Sequence, residues 1–432
     1  MTLRTRRILF FIFLAVFIPS SAGIISYSQG WRFNFETFAI QKTGAIYIET
    51  QPKDVLIKID QKFFTDKSGI IQKGTLITDL LPKNYQIEIQ RDGYFLYHKN
   101  ITVKPSLVTE AVGIILIPMD FKNELKISKN LKGEKFIDFS ADASKIIIKN
   151  SKNNIYYLYN LNNQSSLNIS NLFENMTGKN IKKIAFYPLE LNKLIIESDV
   201  SSAIYIVDVN RLKSEIIFKN SKESSLISWN AENSNIYYIE QNIGLKTKNY
   251  QLIAFNLIAK TKSKIADLPS DNNPYTAVKS SANERFLAAL NTLGNIYLFD
   301  SREGIFKQIA HDAKFFAFSP DGKKIAFLDN DGKLNIYFLE EWTRNIFKKS
   351  GETIGFNLEN KELIKSFYWY EDSAHLFIQQ KSVDFMEIDE RLPLNRYPIV
   401  KEIEDFYHDW KSGFTYYLKG AKLYFSSQSI NQ

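Results

Sequence analysis

Ala313–Glu340 reads AKFFAFSPDGKKIAFLDNDGKLNIYFLE. Phe315, Phe316 and Phe318 favour an extended strand, which the cluster Ser319-Pro320-Asp321-Gly322 ends. Pro320 cannot donate to a strand ladder, and Gly322 takes a positive φ at little cost. A second strand is expected over Lys324–Leu328, then the turn Asp329-Asn330-Asp331-Gly332, then a third strand over Lys333–Leu339. A lone meander of this size leaves apolar faces uncovered and is marginal by itself. It calls for neighbours of its own kind.

Weaker copies fill the chain after residue 120. Taking Phe318, the aromatic before the first turn, as anchor, equivalents fall at Phe139, Phe186, Trp229, Val278, Trp369 and Tyr407. Successive anchors lie 38 to 51 residues apart. Four third strands carry the pair Ile-Tyr: Ile155-Tyr156, Ile204-Tyr205, Ile296-Tyr297 and Ile336-Tyr337. Seven units with this period predict a β-propeller of about seven blades over 119–432. The last unit stops after Leu423–Phe425 with no fourth strand of its own. The spare strand Glu124–Ser128 (ELKIS) is expected to complete it and close the ring.

The run Phe318–Phe327 (FSPDGKKIAF), with Ile336-Tyr337 after it, resembles the repeat of TolB-type propellers. Gly-His and Trp-Asp markers of WD repeats are missing from the units. The resemblance implies a rigid ring whose loops bind partners.

At the other end, Arg4, Arg6 and Arg7 precede an apolar run, Ile8–Tyr27, and no charge occurs from Ile8 to Trp31. That is long enough to span a bilayer, with the basic end in the cytoplasm and the rest outside. A cleaved signal peptide, with Ser20-Ser21-Ala22 offering small residues, is the other reading. Apolar residues continuing through Gly23-Ile24-Ile25 favour a retained anchor. Residues 1–31 are thus read as a cytoplasmic tip and transmembrane anchor. Residues 32–43 follow as a juxtamembrane linker, whose Phe33, Phe35 and Phe38, with Trp31, resemble an interfacial aromatic belt.

Residues 44–118 form a separate all-β unit, with strands expected at Ala45–Glu49, Val55–Ile59, Tyr85–Gln90, Tyr94–Val103 and Ala111–Ile117. Gly44-Ala45-Ile46-Tyr47-Ile48, Leu80-Leu81-Pro82-Lys83-Asn84-Tyr85 and Arg91-Asp92-Gly93-Tyr94 resemble the PEGA domain, a small β-sandwich. Only Pro52 of its naming tetrapeptide is kept. The resemblance implies an interaction module without catalysis. A six-residue linker, Pro118–Asn123, is short enough for this unit to rest on the propeller.

Composition sets outer limits. Of 432 residues, 44% are hydrophobic and 14% aromatic, enough for two or three cores. The net charge of +8 is spread along the chain, and lysines such as Lys145, Lys149 and Lys152 are scattered, so no nucleic-acid face is expected. There is no cysteine, which excludes disulfides, thiolate metal sites and a cysteine nucleophile. The four histidines, His98, His311, His375 and His408, show no metal-ligand spacing. His375 and His408 are expected on one propeller face as solvated turn residues. Asp329-Asn330-Asp331-Gly332 with Glu340 matches a calcium loop only superficially, since the glycine is misplaced. Asp208, Asp300 and Asp389 recur at the ends of third strands, which argues for turn structure over glycosidase chemistry. No nucleophile elbow, HExxH or phosphate loop occurs.

No catalytic, cofactor or metal residue is therefore assigned, and no cofactor is expected. The reading is a membrane-anchored, non-catalytic binding or scaffold protein of a bacterial envelope, with a protein, peptide or glycan partner. A propeller enzyme acting on envelope glycans, or an accessory propeller to a separate peptidase, are the alternatives. Catalysis would require Asp and Glu from three or more blades to meet at the channel. The sequence sets no oligomeric state.

Overall fold

In the computed structural model, residues 3–69, 72–121, 123–127, 131, 133–200, 202–221, 224–242, 249–269, 273–358 and 364–426 are described. Among these, seven four-stranded antiparallel sheets follow one another in chain order, each sheet being one blade. Their inner strands are Glu134–Phe139, Ile181–Phe186, Ser224–Glu232, Tyr275–Ser280, Ala313–Phe318, Ser366–Trp369 and Asp405–Asp409, for blades 1 to 7.

The opening stretch folds as its residues predict, with Lys324–Asp329 and Leu334–Phe338 completing the meander. A fourth strand, Thr353–Phe356, is added after an excursion of 14 residues. The turn motif works through side chains. Ser319 Oγ donates to Asp321 Oδ1, which also accepts from Lys323 N. Blade 1 repeats this with Ser140 and Asp142, and blade 4 with Ser281 and Asn283. Any short acceptor two residues beyond serine serves, so the written motif degenerates while the turn survives.

Ring closure runs as the sequence indicates. Glu124–Ile127 pairs antiparallel with Lys422–Ser426 and supplies the outermost strand of blade 7. Ser128 of the expected strand lies outside the described residues. An apolar core fills each junction between neighbouring blades, and the one joining blade 7 to blade 1 contains Ile127, Phe139, Ile146, Tyr416 and Leu423. Helix α2, Ile169–Thr177, is an element the repeat reading did not contain. Asn168 caps it, Gly178 ends it at φ 67°, and it buries Ile169 and Phe173 between blades 1 and 2.

The repeat anchors need three corrections. Phe139, Phe318 and Trp369 pair with Ile146, Ile325 and Leu376, each seven residues on. In blade 4 the residue with that pairing is Ser280, opposite Leu287, not Val278. In blade 7 it is His408, opposite Thr415, not Tyr407. In blade 3 the backbone bond from Leu257 to Ser234 matches Leu339 to Lys323, which makes Ala231, opposite Ile236, the equivalent rather than Trp229. A polar or small residue occupies each true position, so a larger apolar neighbour, Trp229, Val278 or Tyr407, drew the alignment off.

Residues 44–118 form two packed sheets. One has the order Thr75–Leu80, Gly44–Gln51, Val108–Ile115, with the last two parallel. The other runs Lys62–Thr65, Leu56–Ile59, Asn84–Gln90, Tyr97–Thr102. Ile46, Ile57, Ile87, Ile89 and Ile101 fill the space between them. The strand expected from Tyr94 begins at Tyr97, Tyr94 itself making only a bridge to Pro118. The one expected at Ala111–Ile117 spans Val108–Ile115. Lys62–Thr65 and Thr75–Leu80 are additional edge strands.

Helix α1, Leu3–Ser28, buries none of its residues and is apolar enough to cross a membrane or to serve as a signal sequence. The expected linker after it is instead a hairpin, Trp31–Asn34 with Ala39–Lys42. Alternation places Phe33 beside Phe35 and Phe38 on one exposed side, Phe35 and Phe38 being about 80% exposed. Arg32 joins three elements. It donates to Tyr27 O at 2.6 Å, lies over the Tyr27 ring and pairs with Asp79 at 2.6 Å.

The sandwich rests on blade 6 and on the long excursion of blade 5. Asn395 meets the backbone of His98 with both amide atoms, and Asn345 meets Val112 likewise. Each amide thereby imitates one rung of a β-ladder. Phe95 stacks on Tyr397 at 5.2 Å, and Ile115, Ile117 and Phe121 enter the core shared by blades 6 and 7.

Candidate functional site

The inner strand of a propeller blade has one edge without a ladder partner, and that edge faces the central channel. Its N–H and C=O groups need other partners. Here side chains from adjoining blades supply several of them. Asp138 of blade 1 accepts from Phe186 N of blade 2 at 2.7 Å, and Asp405 of blade 7 accepts from Phe136 N of blade 1 at 2.7 Å. Lys183 of blade 2 donates to Trp229 O of blade 3. Lys279 of blade 4 donates to Phe316 O of blade 5 at 2.7 Å, and Trp369 Nε1 of blade 6 reaches Ala317 O at 3.2 Å.

With the corrected anchors, the residue one step before each anchor faces the channel. The ring so formed is Asp138, Ala185, Asn230, Lys279, Ala317, Tyr368 and Tyr407. All seven line a cavity of about 540 Å³, to which Lys183, Phe318, Trp410 and Lys411 also contribute wall.

Enclosure sets the charge states. Burial pushes the Asp138 carboxyl up to about 6, against two backbone N–H donors, with Asp409 adding repulsion. Burial pushes the Lys279 ammonium down to about 8. It does the same for Lys183, where Glu197 opposes the shift and Lys279 adds to it. Burial also raises the Tyr368 and Tyr407 hydroxyls.

Three blades contribute a carboxylate to the lining: Asp138, Glu232 and Asp409. That is the number set above for an enzyme, but they do not converge. Glu232 pairs with Lys411 across the mouth at 2.7 Å. Asp409 accepts from Ser412 Oγ at 2.7 Å and from the Lys411 and Ser412 amides. Asp138 is taken up by the Phe139 and Phe186 amides. Among the described residues no three His, Asp or Glu are grouped to hold a metal ion.

The expectation of solvated histidines fails for His375 and His408, which are 6% and 3% exposed. His375 Nδ1 lies 2.7 Å from Asp372 Oδ2. His408 Nδ1 lies 3.1 Å from Thr415 Oγ1, and its ring packs on Phe377 at 4.6 Å and Tyr370 at 5.8 Å. Burial lowers it to about 3, so the ring is neutral. Among the described residues its Nε2 has no hydrogen-bond partner, and it stands 4.0 Å from Glu371 Oε2. His98 lies at the sandwich seam, and His311 is exposed beside Gln308 and Asn295.

Asp208, Asp300 and Asp389 each accept from the backbone two residues on, the turn role their recurrence implied. Asp329 accepts from Lys333 N and Asn335 Nδ2, while Glu340 pairs with Arg285. The two are thus engaged separately. Lys145 bonds Asn192 at the surface, and Lys149 lies over the Tyr156 ring at 5.2 Å.

Sequence reading did not find Lys183, Lys279 or Asp138. The available clue was a charged residue within an inner strand that carries apolar residues, as in IKKIAF and YTAVKS.

No known protein family and no curated protein matches the chain. Solved structures do. An oligogalacturonate lyase in complex with manganese aligns over 73% of this chain and 98% of its own, with a TM-score of 0.51 and 12% identity. A mitotic checkpoint complex chain aligns over 71% of this chain and 93% of its own, at a TM-score of 0.48 and 11% identity. The Cps50 (Swd1) β-propeller domain of Myceliophteria thermophila covers 71% and 100%, with a TM-score of 0.47 and 11% identity. At this identity the likeness to the lyase shows the fold alone.

Proposed function

We propose that this chain is a single-pass membrane protein of a bacterial envelope that binds a partner through the channel face of its propeller, without catalysis. The supporting observation is the cavity. All seven blades wall it, and its acids are engaged with backbone or lysine rather than gathered into a reactive group. A rigid ring with such a mouth is suited to holding a protein, peptide or glycan.

In this reading residues 1–31 are cytoplasmic tip and anchor, 32–43 the juxtamembrane segment, 44–118 a PEGA-like module and 119–432 a TolB-type propeller. Arg4, Arg6 and Arg7 in the first turns of α1 would keep the amino end in the cytoplasm. The exposed aromatic side of the hairpin would then lie at the lipid headgroups. The seam on blades 5 and 6 would hold the propeller at a fixed attitude to the membrane.

Affinity capture tests the binding role, with the full chain in detergent micelles as bait against envelope proteins and cell-wall glycans. Capture that free propeller-face competitor removes is the expected result. Breakdown of captured glycan would move the assignment to the enzyme alternative. Protease shaving of intact cells checks the topology, and protection of the propeller would reverse it.

A further inference from the structure

The two channel lysines have unspent hydrogen-bonding capacity. An ammonium carries three donors. Lys183 gives one to Trp229 O, and Lys279 gives one to Phe316 O. Neither stands in an ion pair among the described residues. Asp138, the acid on the same ring, has committed its oxygens to two backbone amides. Burial alone acts on the Lys279 ammonium, with no carboxylate to offset it. Lys279 is half-buried and Lys183 is exposed to the cavity, and even partial shielding of a cation without a counter-ion costs free energy. The cavity beside them, about 540 Å³, is in the range of small-molecule sites, and Tyr368 offers a half-buried aromatic wall.

We propose that the channel binds a small organic anion of sugar size, its carboxylate or phosphate held by Lys183 and Lys279 and its ring lying against Tyr368. This deepens the binding reading above and rests on it. The anion supplies the counter-charge that the protein withholds, and each lysine meets it with donors the carbonyls leave over. A neutral sugar of the same size gains neither and is rejected.

The test is calorimetric titration of the full chain in detergent micelles at pH 7 with glucuronate, glucose 6-phosphate and glucose. At least one anion is expected to bind ten times more tightly than glucose and to weaken as sodium chloride rises. Which anion wins identifies the head group. The double variant Lys183→Met/Lys279→Met is expected to lose tenfold or more in affinity. A second readout needs no variant. Acetylation of Lys183 and Lys279 in the wild-type protein, followed by mass spectrometry, should slow when the tighter anion is saturating. Anions no better than glucose, a double variant that binds as the wild type does, or acetylation unaffected by the anion would each overturn the site. Partner capture by a double variant that has lost anion binding would uphold the lysine site and separate it from the partner face. Capture by a wild type that binds no anion would sink this inference and leave the binding role standing.

Discussion

Two places in this molecule set lysines among packed strands, and they treat them differently. At the seam between sandwich and propeller, Lys99 is fully buried and fully met. Four acceptors surround its three donors: Glu387, Arg391 O at 2.7 Å and the carbonyls of Asp389 and Pro393. Tyr97 completes the set by donating to Glu387 at 3.2 Å. In the channel, Lys183 and Lys279 each find one carbonyl and then open space. A buried charge with every donor used is a joint. A charge with donors to spare on a cavity wall, as with half-buried Lys279 and exposed Lys183, is a receptor in waiting.

The largest effect should come from breaking the joint. Lys99→Met leaves Glu387 buried without its cation, and should cost about 3–5 kcal/mol in denaturant melts. A change under about 1 kcal/mol would mean the seam is a loose contact. Next comes the channel wall where it is structural. His408→Ala removes a ring packed on Phe377 and Tyr370, and about 2 kcal/mol should be lost in the same melts. Gly113→Ala should cost about 1–3 kcal/mol. Its φ is +65°, and a Cβ there would collide with the Arg344 guanidinium across the seam.

Acidity sharpens the contrast. Asp138 titrates near 6 in the fold against 3.8 unfolded, so the folded state binds the extra proton between these values. Its contribution to stability is therefore lost as pH rises from about 4 to 6. His408 runs the other way, because its folded value of about 3 lies below its ordinary 6.5. It favours folding increasingly as pH rises from 3 to 6.5. Asp138→Asn should make the measured pH–stability curve rise more steeply over pH 4–6, and no change in slope would contradict the assignment.

The smallest effect should be at the lysine of the channel. Lys279→Met removes a cation that burial disfavours, so melting should be unchanged or raised by about 1 kcal/mol at pH 7. With the wild type, stability should increase from pH 8 to 10, because the unfolded chain holds the proton longer. A large loss on Lys279→Met would make this lysine a second joint and erase the comparison.

Much of this architecture could be read in the chain. Local alternation and turn residues marked each blade, and a strand left over at one end matched a strand missing at the other. The site could not be read the same way. Its ring is defined by the residue one step before each anchor, and a slip of one residue along a strand exchanges channel face for blade core. The slip at Tyr407 hid His408 in this way, and the slip at Val278 put Lys279 after the anchor instead of before it.

The sequence by itself determined the repeat, its number, its closure and the apolar helix at the start. The repeat and the helix depend on neighbours within a few residues, where steric preference and hydrophobic alternation act directly, and closure followed from matching a strand left over at one end to a strand missing at the other. Tertiary structure alone decided which charges would be satisfied. Lys99 meets Glu387 across 288 positions, and Glu232 meets Lys411 across 179. Lys183 and Lys279 meet no such partner among the described residues. Nothing in a local pattern specifies the end of a long side chain, because its partner comes from whichever strand the closed ring brings opposite.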